Sequence, residues 1–241
     1  MISAAPSSPR ERILQAALRL LETEGIEAVS TRAVSAAAEV QPPTIYRHFG
    51  DMQGLLNAAA TAGFTAYLQV KTVRTPLSDP VEELREGWRM HIEFGLTHPN
   101  LYTAMYSSLQ LRQESPAALE AAGMLHLLMQ RVAEAGRLAV SVNRAAAMVH
   151  AAAKGTTLSL LEAPVRDSGL SDLMLETVLR GILTAEPGAA AGGAKSVAEP
   201  PSAGQQWAVH AVSLAALLPE MQAPFSEAEQ ALLLEWLNRL M

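Results

Sequence analysis

Between its prolines and glycines this chain places apolar residues three and four positions apart, in segments of about ten to twenty residues, and runs of β-branched residues are scarce. That periodicity suits amphipathic helices and leaves no alternating stretch for a sheet, so the predicted fold is all-α. Ser8-Pro9-Arg10-Glu11 forms a capping box with proline at the first helical position. It is followed by Ile13, Ala17, Leu20 and Leu21 on one face and Gly25 just past the end. Short helices follow from Ser30 or Thr31 to Ala38 and from Pro42 to Phe49, and a longer one opens at Asp51. A break at Arg74-Thr75-Pro76-Leu77-Ser78 precedes a second capping box, Asp79-Pro80-Val81-Glu82, whose helix runs to about Thr97. Further helices are predicted at 99–108, 116–138, 143–162 and 171–184, then a flexible Pro/Gly/Ala/Ser loop over 186–204. Two helices close the chain. The first carries Trp207, Val209, Val212, Leu214 and Leu217; the second, capped by Ser226, aligns Leu233, Trp236, Leu237 and Leu240 on a stripe expected to be buried.

Composition removes most chemistries. The 241 residues contain no cysteine, which excludes a disulfide scaffold, cysteine-bound zinc, an iron–sulfur cluster and a thiol nucleophile. Neither GxGxxG nor HExxH occurs, and in Lys154-Gly155-Thr156-Thr157 glycine and lysine are reversed relative to a phosphate loop. None of the six histidines stands three or four residues from another. No catalytic residue, metal or cofactor is expected, and the chain is read as a non-enzyme. With no apolar run of about 18 residues and no leader-like start, it is expected to be cytoplasmic with no membrane association. Its 24 acidic against 18 basic residues give a net charge of −6, so any contact with nucleic acid must be local.

One stretch supplies such a surface. Two short helices joined by about three residues, with Val34, Ala37, Ala38, Val40, Ile45 and Phe49 turned inward, make a helix-turn-helix. Gln41, Thr44, Arg47 and His48 lie on the outer side of the second helix with Tyr46 at its middle: hydroxyls, an amide and cations, the groups that meet phosphates and base edges. Pro42 and Pro43 are tolerated there because the first turn has no intrahelical acceptor for its N–H groups.

The run Val29-Ser30-Thr31-Arg32, then Ala38, Val40, Thr44-Ile45-Tyr46-Arg47-His48-Phe49 and Leu55-Leu56, resembles the N-terminal domain of the tetracycline-repressor (TetR) family of transcriptional regulators. The likeness runs from Arg10 to about Leu56, roughly a fifth of the chain. It implies a flexible tail (1–8), a three-helix DNA-binding domain (9–55) and a larger helical effector-binding and dimerisation domain (56–241). It also implies a homodimer on a near-palindromic double-stranded operator. Carried over position by position, Thr31, Thr44, Tyr46 and His48 match contacts to the DNA backbone, and Arg32, Gln41, Pro42 and Pro43 match positions facing bases. The chain departs from the family with Glu39 where glycine usually forms the turn and Met52 where a lysine usually opens the fourth helix. Residues 1–60 carry five arginines against five glutamates and one aspartate, a net of −1, which implies a shallow salt dependence.

Beyond that domain, Trp88, His91, Phe94, Tyr102, Met105, Tyr106, His126 and Met129, with Met124 and Met148, recur at helical spacings. Core packing accounts for any one of them; together they suit an apolar pocket for a small hydrophobic effector. Helices 143–162 and 171–184 are expected at the dimer interface. The function expected is a ligand-responsive, sequence-specific transcriptional regulator, a repressor released from its operator by that effector. The alternative is a helical ligand-binding or sequestering protein whose DNA binding has decayed.

Overall fold

A computed structural model describes residues 8–72, 76–107, 116–184, 203–218 and 225–240. Among them the architecture is all-helical, apart from a single isolated bridge between Leu138 and Leu183. The helices are α1 (Pro9–Glu24), α2 (Thr31–Ala38), α3 (Pro42–Phe49), α4 (Met52–Thr72), α5 (Pro80–Thr97), α6 (Pro99–Ser107), α7 (Pro116–Glu134), α8 (Val142–Glu162), α9 (Leu170–Ile182), α10 (Ala203–Leu217) and α11 (Glu227–Leu240). The Pro/Gly-rich loop expected over 186–204 lies almost wholly outside the described residues. No described helix is long and apolar enough to cross a membrane.

The chain divides into two compact units. The first comprises Met1–Thr75, Met90–Ala122 and Leu160–Ala163. Its first helix begins as the sequence requires: the Ser8 hydroxyl accepts from the Glu11 N–H at 3.2 Å while the Glu11 carboxylate accepts from the Ser8 N–H at 2.8 Å. Gly25, at φ 89°, ends it. Ile13, Ala16, Ala17 and Leu21 form its buried face, and Leu20 is only half-buried because it sits at the edge of that stripe. α1 then packs on α2, α3, α4 and α6, with Val34, Ala38, Ile45, Leu55 and Ala59 buried around it.

Of the residues expected to point inward, one does not and two are only partly covered. Ala37 is exposed, and Val40 and Phe49 are half-buried. An eight-residue helix has one narrow inner edge, here Val34 and Ala38 four apart, and Ala37 falls on its flank. Phe49, at the last turn of α3, is covered by the Arg10 guanidinium, 5.2 Å from the ring centroid.

The second unit comprises Pro76–Arg89, Gly123–Ser159 and Pro164–Met241. Polar braces at the start of α5 hold it. The Asp79 carboxylate accepts from the Val81 N–H at 2.8 Å and from the Arg137 guanidinium at 2.9 and 3.1 Å. The expected reciprocal partner Glu82 turns instead to Arg85; Glu83 reaches back to the Leu77 N–H at 2.9 Å and receives Arg131 at 2.6 Å. The Arg85 guanidinium also binds the Glu176 carboxylate of α9. Lys154 to Thr157 lie within α8, so their backbone groups serve the helix rather than a phosphate cradle. In α11 it is Leu237 that is buried, whereas Trp236 is 53% exposed; Trp207 of α10 is 67% exposed. The stripe expected to be wholly covered is therefore covered in part, since the inward edge of α11 passes through Leu237.

The Val81 N–H, followed by Arg137, holds the Asp79 carboxyl below its ordinary value. A lowered folded-state value means that the stabilisation is present above the ordinary carboxylate range and is lost as pH falls through and below it. Asp79→Asn is therefore expected to lower stability at neutral pH, with the gap to wild type closing below about pH 4, as urea unfolding across a pH series will measure.

Candidate nucleic-acid interface and aromatic cluster

Helices α2 and α3 present an outward face because their inner edges are fixed. Ser30 caps α2, its hydroxyl accepting from the Ala33 N–H at 3.2 Å. The turn passes through Glu39 at φ 53°, ψ 50°, the left-handed region that glycine adopts most readily. The Arg12 side chain donates to the Ala38 carbonyl at 3.1 Å and fastens the end of α2 to α1. α3 ends at Gly50, φ 80°, and Asp51 opens α4 by accepting from the Gly54 N–H at 2.7 Å.

On the outward face the structure brings Thr31 and Tyr46 together, with their hydroxyl oxygens 2.9 Å apart. One hydroxyl donates to the other, so the acceptor keeps its own hydrogen available, and the pair can donate to an anion while its geometry stays fixed. Tyr46 is 44% exposed, and the buried Ile45 beside it anchors the helix. Arg32 and Arg47 are exposed and make no ion pair among the described residues; in particular Arg32 is not neutralised by Glu27 or Glu39. Gln41 occupies the N-cap of α3 without capping it by its side chain, which leaves the carboxamide free, and Pro42 and Pro43 follow, both exposed. Thr44 is half-buried with its N–H on the Gln41 carbonyl at 2.9 Å; His48 is half-buried, edge-on to Phe49. The leading end of α3 therefore offers one amide side chain and two apolar rings in place of a row of N–H donors.

The residues predicted to meet an effector divide between the units. In the first, the rings of Phe94 and Tyr102 lie 6.3 Å apart, those of Tyr102 and Tyr106 4.7 Å apart, and His91 Nε2 meets the Tyr102 hydroxyl at 2.8 Å. Met105 is half-buried in the same unit. Sequence reasoning missed three other members of this cluster. Tyr67 stacks on Phe94 at 4.1 Å and on Phe64 at 5.9 Å, and His98 lies 5.4 Å from Phe94. Tyr67 stands at helical spacing from Ala59, Gly63 and Phe64, on the apolar side of α4; what it faces is fixed by α5, too distant in sequence to be read. Burial, then the nearby Tyr106 and Glu93, pushes the Tyr67 hydroxyl well above its ordinary pKa, so it stays neutral. In the second unit Trp88 is buried with its indole N–H on the Ser171 hydroxyl at 3.0 Å, Met129 is fully buried, and His126 is exposed.

Three consecutive residues of α6 tie the aromatic cluster to the helix-turn-helix. Asn100 donates to the Glu22 carbonyl near the end of α1 at 3.0 Å. Leu101 is buried against Gly63 of α4, where a Cβ would stand 2.6 Å from one Leu101 methyl and 3.1 Å from Leu18 of α1. Tyr102 enters the cluster itself. Only a residue without a side chain lets α4 approach so closely.

Residues 13–59 match the family described as bacterial regulatory proteins, tetR family. The tetracycline repressor protein class C of Escherichia coli is 39% identical over 84 residues, which is 35% of this chain and 34% of that protein, so the match spans about a third of the relative's length. Among solved structures, a tetR-family transcription regulator from Shewanella sp. PV-4 superposes with a TM-score of 0.58 over 74% of this chain and all of that one, at 16% identity. The multidrug binding protein EbrR, complexed with ethidium, gives a TM-score of 0.54 over 73% of this chain and 99% of that one, at 25% identity.

Gly63→Ala is expected to destabilise the chain by about 1–3 kcal/mol through overpacking against Leu101 and Leu18, measured by urea unfolding.

Proposed function

We propose that this chain, whose residues 13–59 match the tetR family of bacterial regulatory proteins, is a homodimeric, sequence-specific DNA-binding regulator, a repressor released from its operator by a small hydrophobic molecule. The observation that carries the reading is the outward face of α2 and α3, with the hydroxyl pair Thr31–Tyr46 flanked by the exposed Arg32, Gln41 and Arg47. In this reading Thr31, Tyr46, Thr44, Arg47 and His48 hold phosphates and so fix register; Arg32 and Gln41, with the rings of Pro42 and Pro43, meet base edges in the major groove. Few cations serve the backbone, because Arg12 is engaged with Ala38 and Arg10 lies over Phe49. Affinity then comes from two half-sites about 34 Å apart read together by a dimer.

The effector site in this reading is built on the aromatic cluster of His91, Phe94, Tyr102 and Tyr106 with Tyr67. Flat apolar ligands suit stacked rings, and EbrR supplies a relative that holds ethidium. A ligand wedged among the rings displaces Tyr102, and with it Leu101 and Asn100, which bear on α4 and α1. The reading frame for DNA then shifts, since the separation of two recognition helices tolerates little change.

Selection from a random duplex pool, followed by titration of the selected operator with and without ethidium, tests both halves. Operator affinity is expected to fall in ethidium, and ethidium affinity to fall by the same factor on operator. Equal affinities remove the switch; no selected sequence at all leaves the sequestering alternative. Tyr46→Phe, which breaks the hydroxyl pair, is expected to weaken operator binding by about 3- to 10-fold. Arg47→Ala should weaken all duplexes alike and reduce the salt slope by about one.

A further inference from the structure

We propose that Arg12 is a positioning residue for operator binding: its bond to the Ala38 carbonyl fixes the turn that aims the leading end of α3, and it acts without touching DNA. The inference rests on the regulator reading above. It starts from a carbonyl that the main chain does not satisfy. Ala38 is the last residue of α2, and the residues four and five beyond it are Pro42 and Pro43, which have no N–H to give. The two N–H groups of the turn go elsewhere, that of Glu39 to the Ala36 and Ser35 carbonyls and that of Val40 to Ser35. The Ala38 carbonyl is taken instead by a side chain 26 residues earlier, with Arg12 Nε donating to it at 3.1 Å in partly buried surroundings. A charged donor makes one of the stronger hydrogen bonds open to such a group.

That carbonyl lies in the peptide plane between Ala38 and Glu39. The direction of the plane depends on ψ of Ala38 and φ of Glu39, so a bond that holds the oxygen also holds the turn. Among described residues Glu39 alone of the non-glycines has positive φ, 53°, a conformation that residues with a side chain rarely adopt. α3 begins at Pro42, so a rotation of the plane is passed directly to Gln41 and the two prolines. The rest of α3 is anchored separately, since Ile45 is buried and the Arg10 guanidinium lies over the Phe49 ring at 5.2 Å. Without the Arg12 bond the helix therefore stays in place while its leading end is released. In the regulator reading that end meets base edges, whereas Tyr46 and Arg47, beside the anchored Ile45, hold phosphates. Specific binding is lost and sequence-independent attraction is kept.

The test uses the full-length chain and an operator that the wild type selects from a random duplex pool. Arg12→Gln places an uncharged N–H donor, Nε2, at the same distance along the side chain as the arginine Nε. Arg12→Met places a methyl group there. The two variants are equal in length and charge and differ in the donor, and melting curves set a titration temperature at which both are folded. Arg12→Met is expected to bind the operator about tenfold or more weakly than wild type, and Arg12→Gln to stay within about threefold of it. On a non-selected duplex the two variants are expected to bind alike and with the same salt slope. Amide exchange at Glu39 and Val40 is expected to quicken in Arg12→Met and not in Arg12→Gln, with the amides of α1 unchanged in both. Equal loss of operator affinity in the two variants, with the salt slope lowered by about one, makes Arg12 a phosphate contact and overturns the positioning role. Wild-type operator affinity in both overturns it too, and leaves the regulator reading standing. A wild type that retains no duplex at any salt concentration overturns that reading, and this inference with it.

Discussion

The burial of Val34, Ala38 and Ile45 beside α1 is the constraint on which the rest depends. α2 and α3 are eight residues each, too short to persist as helices alone, since an isolated helix under about 12 residues is marginal in water. They exist because one edge of each is held by α1, and that of α3 by α4 as well, and because Ser30, the Glu39 turn and Gly50 close their ends. With the inner edge fixed, the outer edge is fixed too, and Thr31 meets Tyr46 across the angle between the helices. The chemistry offered to a partner is thus a consequence of core packing a few ångströms behind it.

Charge sets the character of that surface. The domain is slightly acidic, and two of its five arginines, Arg10 and Arg12, are occupied by Phe49 and by the Ala38 carbonyl. The prolines at the head of α3 remove two N–H groups that another helix would turn toward phosphate. Each feature lowers sequence-independent attraction. What remains are short-range groups of defined geometry: a hydroxyl pair, a carboxamide, apolar rings and two free guanidinium groups. Such a surface discriminates between sequences more than it attracts nucleic acid in general.

Local signals in the sequence were sufficient for the helices. The capping box at Ser8, the glycines at 25 and 50 and the prolines at 42 and 43 act over four residues or fewer, and each is found where its chemistry requires. The left-handed turn at Glu39 was legible for the same reason, through the glycine it replaces in the resembling family. What could not be read is what depends on distant partners. Nothing near Tyr67 announces that Phe94 will stack on it, nothing near Asn100 that its amide will find Glu22, and nothing near Gly63 that Leu101 will lie against its Cα. The second capping box failed at its far half because Arg85 competed for Glu82, a partner the motif does not contain. Trp236 illustrates the opposite error: periodicity places it on an apolar stripe, but a stripe has two edges and the helix buries the one through Leu237.

In the proposed function, these long-range contacts join the aromatic cluster to the face of α2 and α3. Asn100, Leu101 and Tyr102 are successive residues of one helical turn, and successive residues of a helix point about 100° apart. One therefore reaches α1, the next is wedged at Gly63 of α4, and the third faces the rings of α5, so the turn cannot rotate to suit one neighbour without disturbing the other two. Close packing makes that a choice between discrete arrangements rather than a continuous adjustment. In the proposed function, a molecule that favours one arrangement of the rings favours one arrangement of α1 and α4, and the influence runs equally in the other direction. The absence of a side chain at residue 63 is what brings the helices near enough for this to hold.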